Sequence, residues 1–134
     1  MDQYFEIDIE FVKSYLQSLK RDDREYEDYG FYVIDLDLDH RWDDLWKLLK
    51  LVAELECDIE SSILATIAAG PLEDLLDGAG LQFIDRIVAL AKTNRRFAKM
   101  LTGVWRSDIE PEVWAVVVDF CRKYDDPIDV TYQF

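Results

Sequence analysis

The sequence is poor in the residues from which compact catalytic and metal sites are usually built: 134 residues include one histidine, two cysteines, two methionines, three prolines and five glycines. A single imidazole, His40, excludes a histidine-rich zinc site and any relay needing a second histidine. Flanked by Asp39 and Arg41, it reads as a surface or capping residue. Cys57 and Cys121 are too few for a disulfide framework and too distant in sequence to read as a pair. Apolar neighbours (Leu55 and Ile59, Val118 and Phe120) make both expected reduced core cysteines. No apolar run approaches about 18 residues, so neither a membrane span nor a secretory apolar segment is expected. The start, residues 1–9, is acidic where a signal peptide is basic, which points to the cytoplasm.

What is present is apolar mass and negative charge. At 50% hydrophobic and 13% aromatic residues the chain can bury a core, and its length fits one domain spanning 1–134. The net charge is −14. It is uneven: residues 1–60 carry 18 acids and 7 bases, whereas 61–134 carry 11 acids and 8 bases. Such a field repels nucleic acid and anionic membranes and accelerates encounter with basic proteins. An acidic surface that serves only solubility is the plain alternative.

Helical periodicity dominates. Ile9, Val12, Tyr15, Leu16 and Leu19 predict a first helix over 8–21, with Asp8 as N-cap. The charged stretch 21–29 reads as a solvated connection ending at Gly30. Residues 32–39 then alternate Ile34, Leu36 and Leu38 with Asp35, Asp37 and Asp39, the two-residue repeat of a half-buried strand. Its one available neighbour is the tail around Val130, Tyr132 and Phe134; an extended loop is the alternative. Further helices are expected from Trp42 to Leu55, from Asp58 to a stop at Gly70-Pro71, from Pro71 to Gly78 and Gly80, from Leu81 onward, from an Asn94 cap to Gly103, and from Glu110-Pro111. The fold class is mainly α. It is a compact bundle or stack of about six to seven short helices, with one short β pairing of 32–38 with 130–134 left open.

The aspartate alternation does not make a calcium loop: counted from Asp35, the sixth and twelfth positions are His40 and Trp46 where Gly and Glu are needed. It reads either as the solvent face of a strand or as part of one acidic surface for a basic partner. That surface would comprise Asp22, Asp23, Asp28, Asp35, Asp37, Asp39, Asp43 and Asp44. Glu73, Asp74 and Asp77 are near enough in sequence for acid–base chemistry, although helix-start electrostatics explains them without chemistry and is the favoured reading. Arg86, Lys92, Arg95, Arg96, Lys99 and Arg106 form the basic concentration. Against the overall field they are expected to pair with the chain's own carboxylates or sit at helix ends, not to bind nucleic acid. The tryptophans 42, 46, 105 and 114 read as core.

The blocks Ala-Gly-Pro-Leu-Glu-Asp-Leu-Leu (69–76), Phe-Ile-Asp-Arg-Ile (83–87), Arg-Phe-Ala-Lys-Met-Leu-Thr-Gly-Val-Trp (96–105) and Val-Trp (113–114) resemble an uncharacterised family of small bacterial helical proteins, a domain of unknown function. The resemblance covers the C-terminal half and implies a bacterial origin and a helical domain, with no reaction or ligand. The N-terminal third, with its aspartates, lies outside it. If these blocks act as a unit, Glu73 is expected to bond Arg86 or Arg96.

The function expected from these readings is a non-enzymatic binding protein for a basic protein partner, most concretely an immunity protein that neutralises a toxin such as a nuclease. A general helical adaptor or structural module is the alternative, and a carboxylate-dependent enzyme the third. No metal, cofactor, nucleic acid or membrane partner is implied.

Overall fold

A computed structural model of the chain describes residues 5–20 and 24–128. Its elements are α1 (Ile9–Ser18), a tight turn of 3-10 helix (Arg24–Tyr26), α2 (Glu27–Leu38), α3 (Trp42–Glu54), α4 (Ser61–Ile67), a wider π-type turn (Ala68–Leu72), α5 (Glu73–Thr93), α6 (Arg95–Leu101) and α7 (Pro111–Lys123). There is no strand among the described residues. The helices pack around one core in which Phe83 and Ile87 of α5, Leu45, Leu48 and Leu49 of α3 and Phe97 of α6 are fully buried. The expected mainly α bundle is the fold observed.

The helix ends follow the local chemistry. The Asp8 carboxylate accepts from the Phe11 N–H at 2.8 Å, and the Asn94 side-chain oxygen accepts from the Phe97 N–H at 2.9 Å. Each satisfies one of the amide donors a helix start leaves unpaired. The end of α3 is closed from outside: Arg96 donates to the carbonyls of Val52 (2.9 Å), Leu55 (2.8 Å) and Cys57, and Asn94 donates to Ala53 at 3.0 Å. The guanidinium thereby neutralises the negative end of α3 and ties it to α6.

Several expectations are corrected. Residues 32–38 are the body of α2, not a strand, and Gly30 lies inside that helix instead of ending a connection. A helix satisfies its backbone polar groups within the segment, whereas a strand needs a neighbour. The proposed neighbour, 130–134, lies outside the described residues. The expected helix end at Gly78 and Gly80 does fall there: Ala79 between them is non-helical (φ −146°, ψ 29°), so α5 is two helical segments joined at a kink. Both glycines are sites of close approach. A Cβ on Gly78 would stand 2.3 Å from the Trp42 ring, and one on Gly80 3.0 Å from Val113. The Gly70-Pro71 pair likewise stands as expected at a break, Gly70 being non-helical (φ −110°, ψ −105°) where the path from α4 meets that into α5. Cys57 is exposed, because it falls in the connection beyond α3, while Cys121 is half-buried. Trp42, Trp46 and Trp114 pack on the core, but Trp105 is exposed.

The corner between α2 and α3 turns on the one histidine. His40 has φ 56°, the left-handed conformation in which helices commonly end. The N–H of Arg41 reaches back to the Leu36 carbonyl at 2.8 Å and that of His40 to Asp37 at 3.0 Å, closing the last turn of α2. The imidazole stacks on Trp42, 5.2 Å between ring centres. Since Cβ makes this conformation costly, His40→Gly is expected to be more stable than His40→Ala by about 1 kcal/mol in urea denaturation, both variants having lost the stack. Equal stabilities would mean that the left-handed corner carries no strain.

Candidate functional site

The inner face of α2 is set by Tyr29, Val33 and Leu36, the last only 1% exposed. Tyr29 and Tyr32 also join Phe5 and Phe11 in an edge-packed aromatic group, with centroid separations of 5.1 to 5.9 Å. A helix advances 100° per residue, so Glu27, Phe31, Ile34 and Leu38 must then form the opposite face. They do: Phe31 is 58% exposed, Ile34 54% and Leu38 68%. The result is an apolar ridge on the outside of the protein. Exposed Asp28 and Asp35, seven residues apart, flank it on one side, and half-buried Asp37 lies on the other. A strand would have put Asp35 and Asp37 side by side. The helix puts them across the ridge from one another.

Beyond Asp37 the ridge meets the start of α5, where Glu73, Asp74 and Asp77 gather. The Asp74 carboxyl is pushed up to about 6 by burial first, then by Asp37, Asp77 and Glu73. Burial and the neighbouring Asp77 raise Glu73, against the lowering effect of a backbone hydrogen bond from Trp105. Asp77 is raised by burial, Asp108 and Asp37, while the Asp108 backbone and the Ser107 side chain lower it by hydrogen bonding; its Oδ1 is buried with no hydrogen-bond partner among the described residues. Buried Tyr15 is raised by desolvation and by Asp74. These are mutually repelling groups. The expected Glu73 bond to Arg86 or Arg96 is not formed: Arg96 serves the α3 carbonyls, and Arg86 lies over the Phe83 ring at 4.7 Å.

Between α1, α2 and the Gly70-Pro71 bend runs an open groove of about 340 Å³. Tyr15 and Val33 line it below, Leu19, Phe31, Ile34 and Pro71 form apolar walls, and its ionisable residues are Tyr15, Glu27 and Asp74. A larger concavity of about 790 Å³ lies between the end of α5, α6 and α7. Several of its charges are paired: Lys123 with Asp119 at 3.2 Å, and Arg95 with Asp125 at 3.4 Å and over the Tyr124 ring. Lys99 pairs with Asp126 at 3.6 Å. Much of the basic stretch is thus spent on the chain's own carboxylates, rings and carbonyls.

The acidic residues singled out from the sequence are distributed over α2, its end and α3. Asp28, Asp35 and Asp37 belong to α2, and exposed Asp39 follows its end. Asp44 is paired with Arg41 at 2.5 Å, and Arg41 also donates to the Tyr32 hydroxyl at 3.0 Å. Exposed Asp43 shares the outer face of α3 with Lys47 and Lys50, at helical spacings of four and seven. Asp22 and Asp23 lie outside the described residues. The apolar ridge was missed. Its signal was there in Phe31, Ile34 and Leu38, a second stripe at three- and four-residue steps interleaved with the buried one.

A family model described as a family of unknown function (DUF6869) matches residues 17–124, so the chain belongs to that family. The match takes in α2 and α3 and is therefore wider than the C-terminal resemblance. Neither the curated proteins nor the solved structures gave a match.

The carboxylate group has a measurable signature. A carboxyl whose folded pKa lies above its unfolded value contributes stability below the unfolded pKa, and loses it as pH rises through the folded one. For Asp74 that window runs from about 4 to about 6. Asp74→Asn is expected to raise stability at pH 7 by about 1 kcal/mol, after discounting for solvent screening of a half-exposed group, and to change it little below pH 4. Thermal melts at the two pH values check this; a loss at pH 7 would overturn it.

Proposed function

We propose that this member of the family is an acidic protein-binding protein that covers a basic protein surface, most concretely an immunity protein neutralising a basic bacterial toxin such as a nuclease in the cytoplasm. The observation that carries the reading is the outer face of α2, where an exposed apolar ridge lies between Asp28 and Asp35 on one side and Asp37 and Asp74 on the other. Exposed apolar side chains supply contact area that water disfavours, and the carboxylates around them select the sign of the partner. The net charge of −14 adds long-range steering, which speeds encounter with a cationic protein. Ion pairing and burial do the work, and no catalytic step is required of this chain.

One observation supports a carboxylate-dependent enzyme as the second reading: Asp74, held near 6 beside a groove, has the proton affinity of a general acid. The groove walls are mainly apolar and its two carboxyl-bearing residues have the same sign, which offers little to orient a polar substrate. Binding is therefore the better-supported use of the same surface.

The test is affinity capture from a lysate of the source organism, at low and high salt, with the wild-type chain and with a variant carrying Asp28→Asn, Asp35→Asn and Asp37→Asn. The expected outcome is one basic protein retained by the wild type at low salt, weakened about tenfold or more by the variant and by salt, whose own activity falls when the wild-type chain is added. A partner held equally by both forms at high salt would favour the adaptor reading. Recovery of no specific protein would sink the proposal.

A further inference from the structure

The ridge and the groove beside it narrow what the partner must present. Phe31, Ile34 and Leu38 span eight residues, about 10 Å along the helix axis. They stand on a convex helical surface, against which another helix packs by interlocking side-chain rows. Carboxylates line both sides: Asp28 and Asp35 on one, Asp37 and Asp74 on the other. A complementary element has an apolar stripe down its middle and cations on both flanks, which is the pattern of a basic amphipathic helix. A second copy of this chain would instead bring like-charged flanks together.

Resting on the basic-partner reading above, we infer that the occupant of this face is a cationic amphipathic helix of the partner protein, its apolar stripe on Phe31, Ile34 and Leu38 and one lysine or arginine side chain laid in the groove against Asp74. The groove suits such a side chain. Leu19, Phe31, Ile34 and Pro71 line the path of its aliphatic stem, and the carboxyls of Glu27 and Asp74 receive its charged head. Every titratable neighbour that acts on Asp74 from its own helix or from α2, namely Glu73, Asp77 and Asp37, is an acid, and Tyr15 of α1 is buried and protonated. An incoming cation relieves that repulsion and draws the proton off Asp74, so binding is expected to weaken as pH falls below about 6.

The probe is a fluorescein-labelled synthetic peptide of about 18 residues, built from leucine and lysine in helical amphipathic register and long enough to form a helix on binding. A peptide of the same composition with the register scrambled is the control. Anisotropy titrations of the full chain should give affinity for the amphipathic peptide at least about tenfold above the scrambled one. The variant Phe31→Ser, Ile34→Ser and Leu38→Ser, folded by circular dichroism, should lose that preference. Asp74→Asn should weaken binding about threefold or more and flatten its pH dependence. Equal binding of both peptides by wild type and triple variant, abolished by salt, would overturn the inference while leaving an acidic surface for a basic protein intact. Binding of neither peptide would overturn it as well. A wild-type dimer in sedimentation that the triple variant dissolves would overturn it in favour of self-association. The broader proposal fails separately, when no basic protein is captured.

Discussion

The burial of Leu36 fixes what the outside of this protein looks like. With Tyr29 and Val33 it anchors one face of α2 in the core, and the 100° step of the helix leaves no freedom for the others. Ile34 and Leu38 cannot be buried in the same rotation, although they share the apolar character of Leu36. Two further contacts hold the setting. The tyrosines of α2 pack edge-on to Phe5 and Phe11, and Arg41 links Tyr32 to Asp44 across the corner with α3. The ridge is therefore a consequence of core packing, and its carboxylate borders follow from the same rotation.

The carboxylates beside the ridge oppose folding. Glu73, Asp74 and Asp77 lie where burial weakens their solvation and each raises the cost of ionising its neighbour, with Asp37 adding to that cost for Asp74 and Asp77. The start of α5 offers limited compensation, because the helical path already runs into it from the Gly70-Pro71 bend and occupies amide donors that a free helix start would present. Elsewhere the same chain is careful with charge. Arg96 is placed on three carbonyls at the end of α3, Lys123 meets Asp119 and Lys99 meets Asp126. No cation among the described residues acts on Glu73, Asp74 or Asp77, and an external one would relieve their repulsion, which is the reading proposed.

What could be read from the sequence was whatever depends on near neighbours. The Asp8 and Asn94 caps, Pro111 at the start of α7 and the apolar faces of α3 and α7 are local signals that stand as expected; in α1 Val12 and Tyr15 are buried as expected, but Ile9 is exposed and Phe11 is buried instead. The failures are non-local. Residues 32–39 alternate like a strand, but the alternation comes from two helical stripes laid over one another, and the choice between them rests on what packs beneath. Gly78 and Gly80 marked the break at Ala79, but that Trp42 and Val113 also need their missing side chains could not be read locally. The acidic side chains were legible one by one, while their placement around α2 and α3 was not. Asp35 and Asp37 fall on opposite flanks, Asp44 is spent on Arg41, and Asp74, assigned to a different role, joins the group.

The rotation of α2 is the claim on which the rest stands, and paired truncations along it test that claim most directly. Urea denaturation of Leu36→Ala and Leu38→Ala compares two leucines that a strand would place on one face and this helix separates. The account predicts a loss of about 2–5 kcal/mol for Leu36→Ala. It predicts a change within about 0.5 kcal/mol for Leu38→Ala. Equal losses at the two positions would contradict it, because Leu38 would then be in the core and the apolar ridge would not exist.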